Sequence, residues 1–292
     1  MYYLSAITLL WAFSFSLIGV YLAGQVDAYF SVLLRITLAF LLFIPLLRRQ
    51  WLRLDYILPL MLIGAIQLGF MYIFYYQSFL LLTVPEVLLF TTLTPIYVAL
   101  LYDIWTLTFR TRYLLAAILA VLGAVVIRYD NITQDYVWGF LLVQGANVCF
   151  ALGQVSYKVF IQRRGQHLPQ HAVFGCFYAG ALVVALIAWW FLGTDRYPTT
   201  SVQWGVLLWL GLGASGLGFF CWNKGATKVD VGTLAVMNNA LIPAGLVVNL
   251  VIWNHDADVI RLLLGGGIIL VSLLLNHYWE RKTRLLSCSL SH

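Results

Sequence analysis

Long apolar runs alternate with short polar breaks along the whole chain. Crossing a bilayer takes about 20 predominantly apolar residues, and ten runs meet that length or nearly so: roughly 3–23, 29–47, 56–79, 84–102, 113–128, 136–159, 172–193, 202–222, 231–253 and 258–279. The breaks leave almost nothing for a soluble domain. Two runs violate the apolar rule in the same way. Residues 83–101 carry Glu86, Thr91 and Pro95, and Pro95 has no amide hydrogen to give the carbonyl of Thr91, four residues back. Threonine hydroxyls can satisfy such a carbonyl only where protein or a cavity surrounds it. Residues 232–250 repeat the device, with Pro243 four residues after Asn239 and Asn238 beside it. Two proline-bent, polar-lined spans in corresponding places of two halves predict a binding site between the halves.

This pattern predicts an all-α polytopic membrane protein with ten transmembrane helices arranged as two inverted five-helix repeats, inverted because each half holds an odd number of spans. The expected units are 1–132 and 133–284, with 285–292 a disordered cytoplasmic tail. Composition excludes a soluble globule: 10% of residues are charged and mean hydropathy is +0.90, against about 25% charged in ordinary domains. Short loops rich in Lys and Arg stay cytoplasmic. With the N-terminus inside, the cytoplasmic side holds Arg48, Arg49, Arg53, Arg110, Arg112, Lys158, Arg163, Arg164, Lys224, Lys228, Arg281, Lys282 and Arg284, against Arg128, Arg196 and Arg261 outside. Thirteen against three predicts both termini in the cytoplasm. The net charge of +6 then reflects insertion and an anionic leaflet, and no nucleic-acid partner is expected. The first run has no basic n-region or small-residue cleavage site, so it reads as a retained helix. Cys149, Cys176 and Cys221 fall inside spans and Cys288 in the tail, so no disulfide is expected.

Several polar or aromatic side chains sit where hydrocarbon would reject them. Trp11 and Ser14 share a face of the first span. Arg35 lies about eight residues from Asp27, or ~12 Å at the helical rise, too deep for an end residue. An intramembrane arginine faces the bundle or an aqueous cavity, and Glu86 is the obvious acid to pair with it. Tyr72, Tyr75 and Tyr76 form one stripe, readable as a ligand cradle or an interface belt. The sixth span lines up Gln144, Asn147, Gln154 and Lys158, of which Lys158 is expected to snorkel to the headgroups. Tyr178 holds in the seventh span about the place of Arg35 in the second. Gly211, Gly213 and Gly216 satisfy G-x-G-x-x-G, but inside an apolar helix they serve close packing rather than nucleotide binding. Small residues at 116, 117, 120, 123 and 124 suit scaffold or dimer contact, so a monomer or a homodimer is expected. No Walker-type loop, no histidine pair suited to a metal and no cluster of nucleophile and base is readable, so neither a cofactor, a metal nor an enzyme activity is expected, and an intramembrane enzyme stays a remote alternative that would need Glu86 and a histidine around one pocket.

The ten spans, Leu10-Trp11 and Leu93-Thr-Pro95 resemble the EamA family of the drug/metabolite transporter superfamily. The longer strings at 11–30, 88–103, 126–130, 140–144 and 222–250 resemble that family's carboxylate, amino acid and amine transporter group. This resemblance implies an inner-membrane carrier that takes up biotin. It implies a carboxylate held by Arg35 or Lys158, a ureido ring met by Asn147, Asn238, Asn239 and Tyr178, and a thioether ring packed on Trp11, Tyr72 or Trp222. The residues alone support a carrier of a small amphipathic solute. An exporter of amino acids or related metabolites is the alternative that the family as a whole suggests. Glu86 carrying a proton and simple facilitated uptake both remain open.

Overall fold

The computed structural model describes residues 2–106, 133–229 and 231–253, with isolated positions at 122, 260, 263, 264, 267, 268 and 271. Apart from those isolated positions, the predicted fifth and tenth spans, the small-residue stripe and the C-terminal tail lie outside this set. The first span is one helix, Tyr2–Tyr21, and the second, Ala28–Phe43, ends in a 3-10 turn at Pro45. The third runs Leu54–Gly64, a π-helical segment Ala65–Phe70, then Met71–Ser78. The fourth is broken into Val84–Thr91 and Thr94–Thr106. The sixth and seventh are Gln134–Arg163 and Phe174–Leu192. The eighth is Ser201–Trp209, a second π segment Leu210–Leu217, then Gly218–Ala226, and the ninth is Val231–Ile252. Among the described residues every regular element is helical, and seven helices are long and apolar enough to cross a membrane. Trp190, Phe191, Leu62 and Val251 are exposed on the outside of the bundle, as a lipid-facing surface requires.

Local chemistry sets the helix starts. Asp27 accepts the Phe30 amide at 2.7 Å, Thr133 accepts the Tyr136 amide at 3.2 Å, and Thr200 with Gln203 forms a capping box. Thr83 and Glu86 form another: the Glu86 carboxylate accepts both the Thr83 amide and the Thr83 hydroxyl at 2.8 Å.

The break in the fourth span has the cause expected from Pro95. The Thr94 hydroxyl donates to the Thr91 carbonyl at 2.8 Å, and the Asn147 amide nitrogen donates to the Phe90 carbonyl at 3.0 Å. The ninth span stays helical through Pro243. The two proline spans therefore share a sequence device without sharing a break.

The π segments make tight contacts reciprocally across the bundle. The seventh span packs on the π segment of the third, and the second span packs on that of the eighth. The second and seventh also pack on each other, the first lies on the ninth and the sixth on the fourth. Gly211 and Gly216 permit the eighth-span contact: a Cβ there would come within 2.6 Å of Leu38 and 2.9 Å of Leu42. That is the close-packing role expected of the G-x-G-x-x-G pattern for two of its glycines, whereas a Cβ on Gly213 would meet nothing within 4 Å.

Candidate functional site

The first, second, third, fourth, sixth, eighth and ninth spans all contribute to one pocket of about 670 Å3, counting the part open to solvent. Nine residues singled out from sequence line it: Trp11, Ser14, Arg35, Tyr72, Tyr75, Tyr76, Thr91, Trp222 and Asn238.

Arg35 is 2% exposed, and hydroxyls surround its guanidinium. Nε donates to Ser215 Oγ at 3.1 Å, Nη1 to the Tyr76 hydroxyl at 3.1 Å and Nη2 to the Tyr72 hydroxyl at 2.7 Å. Tyr72 Oη and Ser215 Oγ are themselves 2.8 Å apart, and the guanidinium sits 4.2 Å from the centre of the Tyr72 ring. The expected partner Glu86 is elsewhere, because in the first turn of its helix its carboxylate satisfies the capping box and meets the positive end of the helix dipole. Among the described residues no acid forms an ion pair with Arg35.

Ser215 carries no motif that would have singled it out, yet it sits where the helix is underwound. A π turn shifts bonding from the fourth to the fifth residue and leaves backbone carbonyls looking for donors. Trp11 Nε1 donates to the Ala214 carbonyl at 2.9 Å, and the Tyr178 hydroxyl reaches the Ser215 carbonyl at 2.9 Å and that of Gly216. Two spans, the first and the seventh, thereby pin the segment that offers its hydroxyl to Arg35.

An aromatic wall forms another side. Trp11 packs on Trp222 and Phe219, with ring centres 5.0 Å apart in both pairs, and on Phe150 at 5.9 Å. Phe15 meets Tyr75 edge-on at 5.6 Å. Phe150 and Phe219 had no signal of their own, although Phe219 falls three residues before Trp222 and so on its face.

The remaining predicted residues stand behind the cavity or outside the described set. Asn147 holds the break in the fourth span, and its Oδ1 accepts from the Tyr75 hydroxyl at 3.1 Å. Tyr178 is fully buried against the π segment. Lys158 does not snorkel: it is 5% exposed and donates to the Ala226 carbonyl at 2.9 Å and to that of Val229. The reason is local, since carbonyls at a helix end lack partners and a nearby cation satisfies them. The Asn239 side chain lies outside the described residues. Lys224 and Lys228 lie over the ring of Tyr3, away from the cavity lining. No cluster able to hold a metal occurs among the described residues.

Known proteins carry this architecture. Residues 137–278 match the EamA-like transporter family. The chain is 54% identical over 285 residues to a probable biotin transporter of Pseudomonas aeruginosa, covering 97% of this chain and 100% of the relative. It is 50% identical over 274 residues to the biotin transporter of Escherichia coli and 49% to that of Salmonella typhimurium, in each case covering 93% of this chain and 91% of the relative. One crystal structure, 22% identical, shares the fold with a TM-score of 0.65 over 92% of this chain and 94% of its own. The chain is thus a multi-pass membrane protein that belongs to the EamA-like transporter family.

Proposed function

We propose that this chain is a secondary transporter that takes up biotin across the bacterial cytoplasmic membrane. The observation that carries the reading is Arg35: a buried guanidinium on the cavity wall whose three hydrogen bonds all go to neutral hydroxyls. Burying a cation is costly unless an anion compensates. A guanidinium has five N–H groups in a planar fork, so two remain for a carboxylate, which such a fork binds at two points. Biotin supplies the carboxylate, and its fused rings fit the wall of Trp11, Phe150, Phe219 and Trp222. The relatives' names support the same substrate.

In this reading the chain has ten transmembrane helices in two inverted repeats, 1–132 and 133–284, with both termini in the cytoplasm. The reciprocal packing of the second span on the eighth and the seventh on the third supports the repeat, as does a π segment in each of the third and eighth. The thirteen-to-three charge asymmetry supports the orientation. Arg35 reads the acid and Trp11, Tyr72 and Trp222 hold the rings. Asn147, Tyr178 and Lys158 fix the backbone around them, and Glu86 fixes the start of the fourth span. Because Arg35 also holds Ser215, a bound carboxylate acts directly on the eighth span, which gives substrate a grip on an element that must move.

The test is uptake of labelled biotin into proteoliposomes containing the purified protein. Wild-type uptake is saturable, and free biotin competes at least about tenfold better than its methyl ester. A folded Arg35→Gln variant loses that preference. If the variant keeps both its affinity and its preference for the free acid, the carboxylate is bound elsewhere and the reading of Arg35 falls.

A further inference from the structure

The cavity has a second polar feature, built from amides, and its polarity can be deduced atom by atom. A backbone carbonyl only accepts, so the Asn238 atom 2.9 Å from the Leu234 carbonyl must be Nδ2. An indole N–H only donates, so the Gln154 atom 3.1 Å from Trp222 Nε1 must be Oε1. The same Gln154 oxygen lies 3.4 Å from Asn238 Nδ2. Both hydrogens of the Asn238 amide are then taken, by Leu234 and by Gln154. Its Oδ1 has no hydrogen bond among the described residues, and Asn238 lines the cavity while only 5% exposed. Gln154 is fully buried, and its Nε2 has no partner among the described residues.

We infer that Asn238 presents a hydrogen-bond acceptor to the cavity, that Gln154 is the positioning residue holding it so, and that this subsite takes an N–H group of the substrate. The inference rests on the proposed function and deepens it: for biotin the group is a ureido N–H, with the ureido carbonyl served elsewhere. The cavity then donates to the substrate through Arg35, accepts from it through Asn238, and is apolar along the wall of Trp11, Phe219 and Trp222. It selects solutes that carry an acid and an N–H donor joined by an apolar body. A solute lacking the donor leaves a buried acceptor unpaired, which is the circumstance in which a site discriminates strongly.

The test measures competition against labelled biotin by two analogues in proteoliposomes. In a cyclic carbamate a ring oxygen replaces one ureido N–H without added bulk. In the thiourea analogue both N–H groups remain and only the carbonyl acceptor is weakened. Wild type should bind at least one carbamate isomer about tenfold or more worse than biotin and the thiourea analogue within about threefold. In Asn238→Ala the carbamate penalty should shrink to about twofold or less. Gln154→Met should lose most of the preference and Gln154→Glu, which keeps the oxygen, should retain it, a pattern that a purely structural role for Gln154 would not produce. Equal binding of biotin and both carbamate isomers by wild type overturns the inference while leaving biotin transport intact, and needs no variant to fold. A large thiourea penalty with no carbamate penalty overturns it by reversing the polarity. Absence of saturable biotin uptake by wild type overturns the proposed function and this inference together.

Discussion

The π segments of the third and eighth spans share a backbone irregularity and have opposite surroundings. In the eighth span, Trp11 and Tyr178 take the freed carbonyls and Arg35 takes the Ser215 hydroxyl. In the third, Gln67 is fully buried and neither of its amide atoms has a partner among the described residues. The neighbours differ too. The α-helical turn just before the third-span segment is wedged backbone on backbone against the seventh span, where a Cβ on Gly64 would collide with the Phe177 carbonyl and one on Gly180 with that of Met61, and within the segment a Cβ on Gly69 would come within 2.9 Å of Val184. The eighth-span segment rests on leucine side chains, Leu38 and Leu42, which can give way. An underwound turn therefore does not mark a site by itself. Convergence of donors from several spans onto that turn does, and two of those donors, Trp11 and Arg35, line the cavity themselves.

The sharpest way to break this comparison is to add one methyl group to each contact. Gly64→Ala has no room, because the obstacle is a carbonyl in a neighbouring helix, and overpacking of this kind costs about 3 kcal/mol or more. It should abolish recovery of monodisperse protein from membranes. Gly216→Ala meets the tip of Leu42 at 2.9 Å and should cost about 1 kcal/mol, leaving folded, transporting protein. Equal tolerance of the two changes would mean that the backbone contact is no stiffer than the side-chain one.

Ser215→Ala comes next. It removes an acceptor from Arg35 Nε and a partner from the Tyr72 hydroxyl, leaving buried polar groups unsatisfied at about 1–3 kcal/mol. The expected outcome is a rise of about tenfold or more in the KM for biotin with normal folding. An unchanged KM would separate the π segment from the binding site.

These contrasts were partly legible in the chain. The break at Thr91, Thr94 and Pro95 follows from local chemistry, because the freed carbonyl and the hydroxyl that satisfies it are three residues apart. Pro243 offers the same spacing, yet the ninth helix continues, since whether a proline kinks or breaks depends on outside groups such as Asn147, which holds the Phe90 carbonyl. The depth of Arg35 was legible, but its partners come from 37, 41 and 180 positions away. Thr83-x-x-Glu86 is a capping box readable from sequence, and weighing it would have removed Glu86 as the partner of Arg35. Lys158 ends on main-chain carbonyls, which have no signature in side-chain identity. The π segments shift register without changing composition, so periodicity saw two ordinary spans.

Trp11→Phe tests the hold on the eighth-span segment more gently. The ring remains for Phe219 and Trp222 while the bond to the Ala214 carbonyl is lost. The expected effect is about 1 kcal/mol, which is about fivefold in affinity. Tyr178→Phe frees carbonyls of the same segment from outside the cavity. It should lower thermal stability by a similar amount and leave the ranking of competing analogues unchanged. A reordered ranking in Tyr178→Phe would make Tyr178 a ligand contact after all.

The smallest expected effect concerns Gln67 and has the opposite sign. Its amide is buried beside Gly153, on which a Cβ would strike Gln67 itself, and no described group bonds to it. Burying an unpaired amide costs about 1–3 kcal/mol, and methionine matches the length of glutamine without the polar atoms. Gln67→Met should therefore leave thermal stability unchanged or raise it by about 1 kcal/mol, provided the methionine fits without strain. Transport decides what the residue is for. Unaltered uptake makes the third-span segment scaffold, in keeping with its packing on the seventh span. A stabilised variant that binds biotin but no longer moves it would instead give the amide a partner in another conformation of the cycle. The two π segments would then be equivalent parts seen at different stages, and the contrast between them would belong to this conformation rather than to the fold.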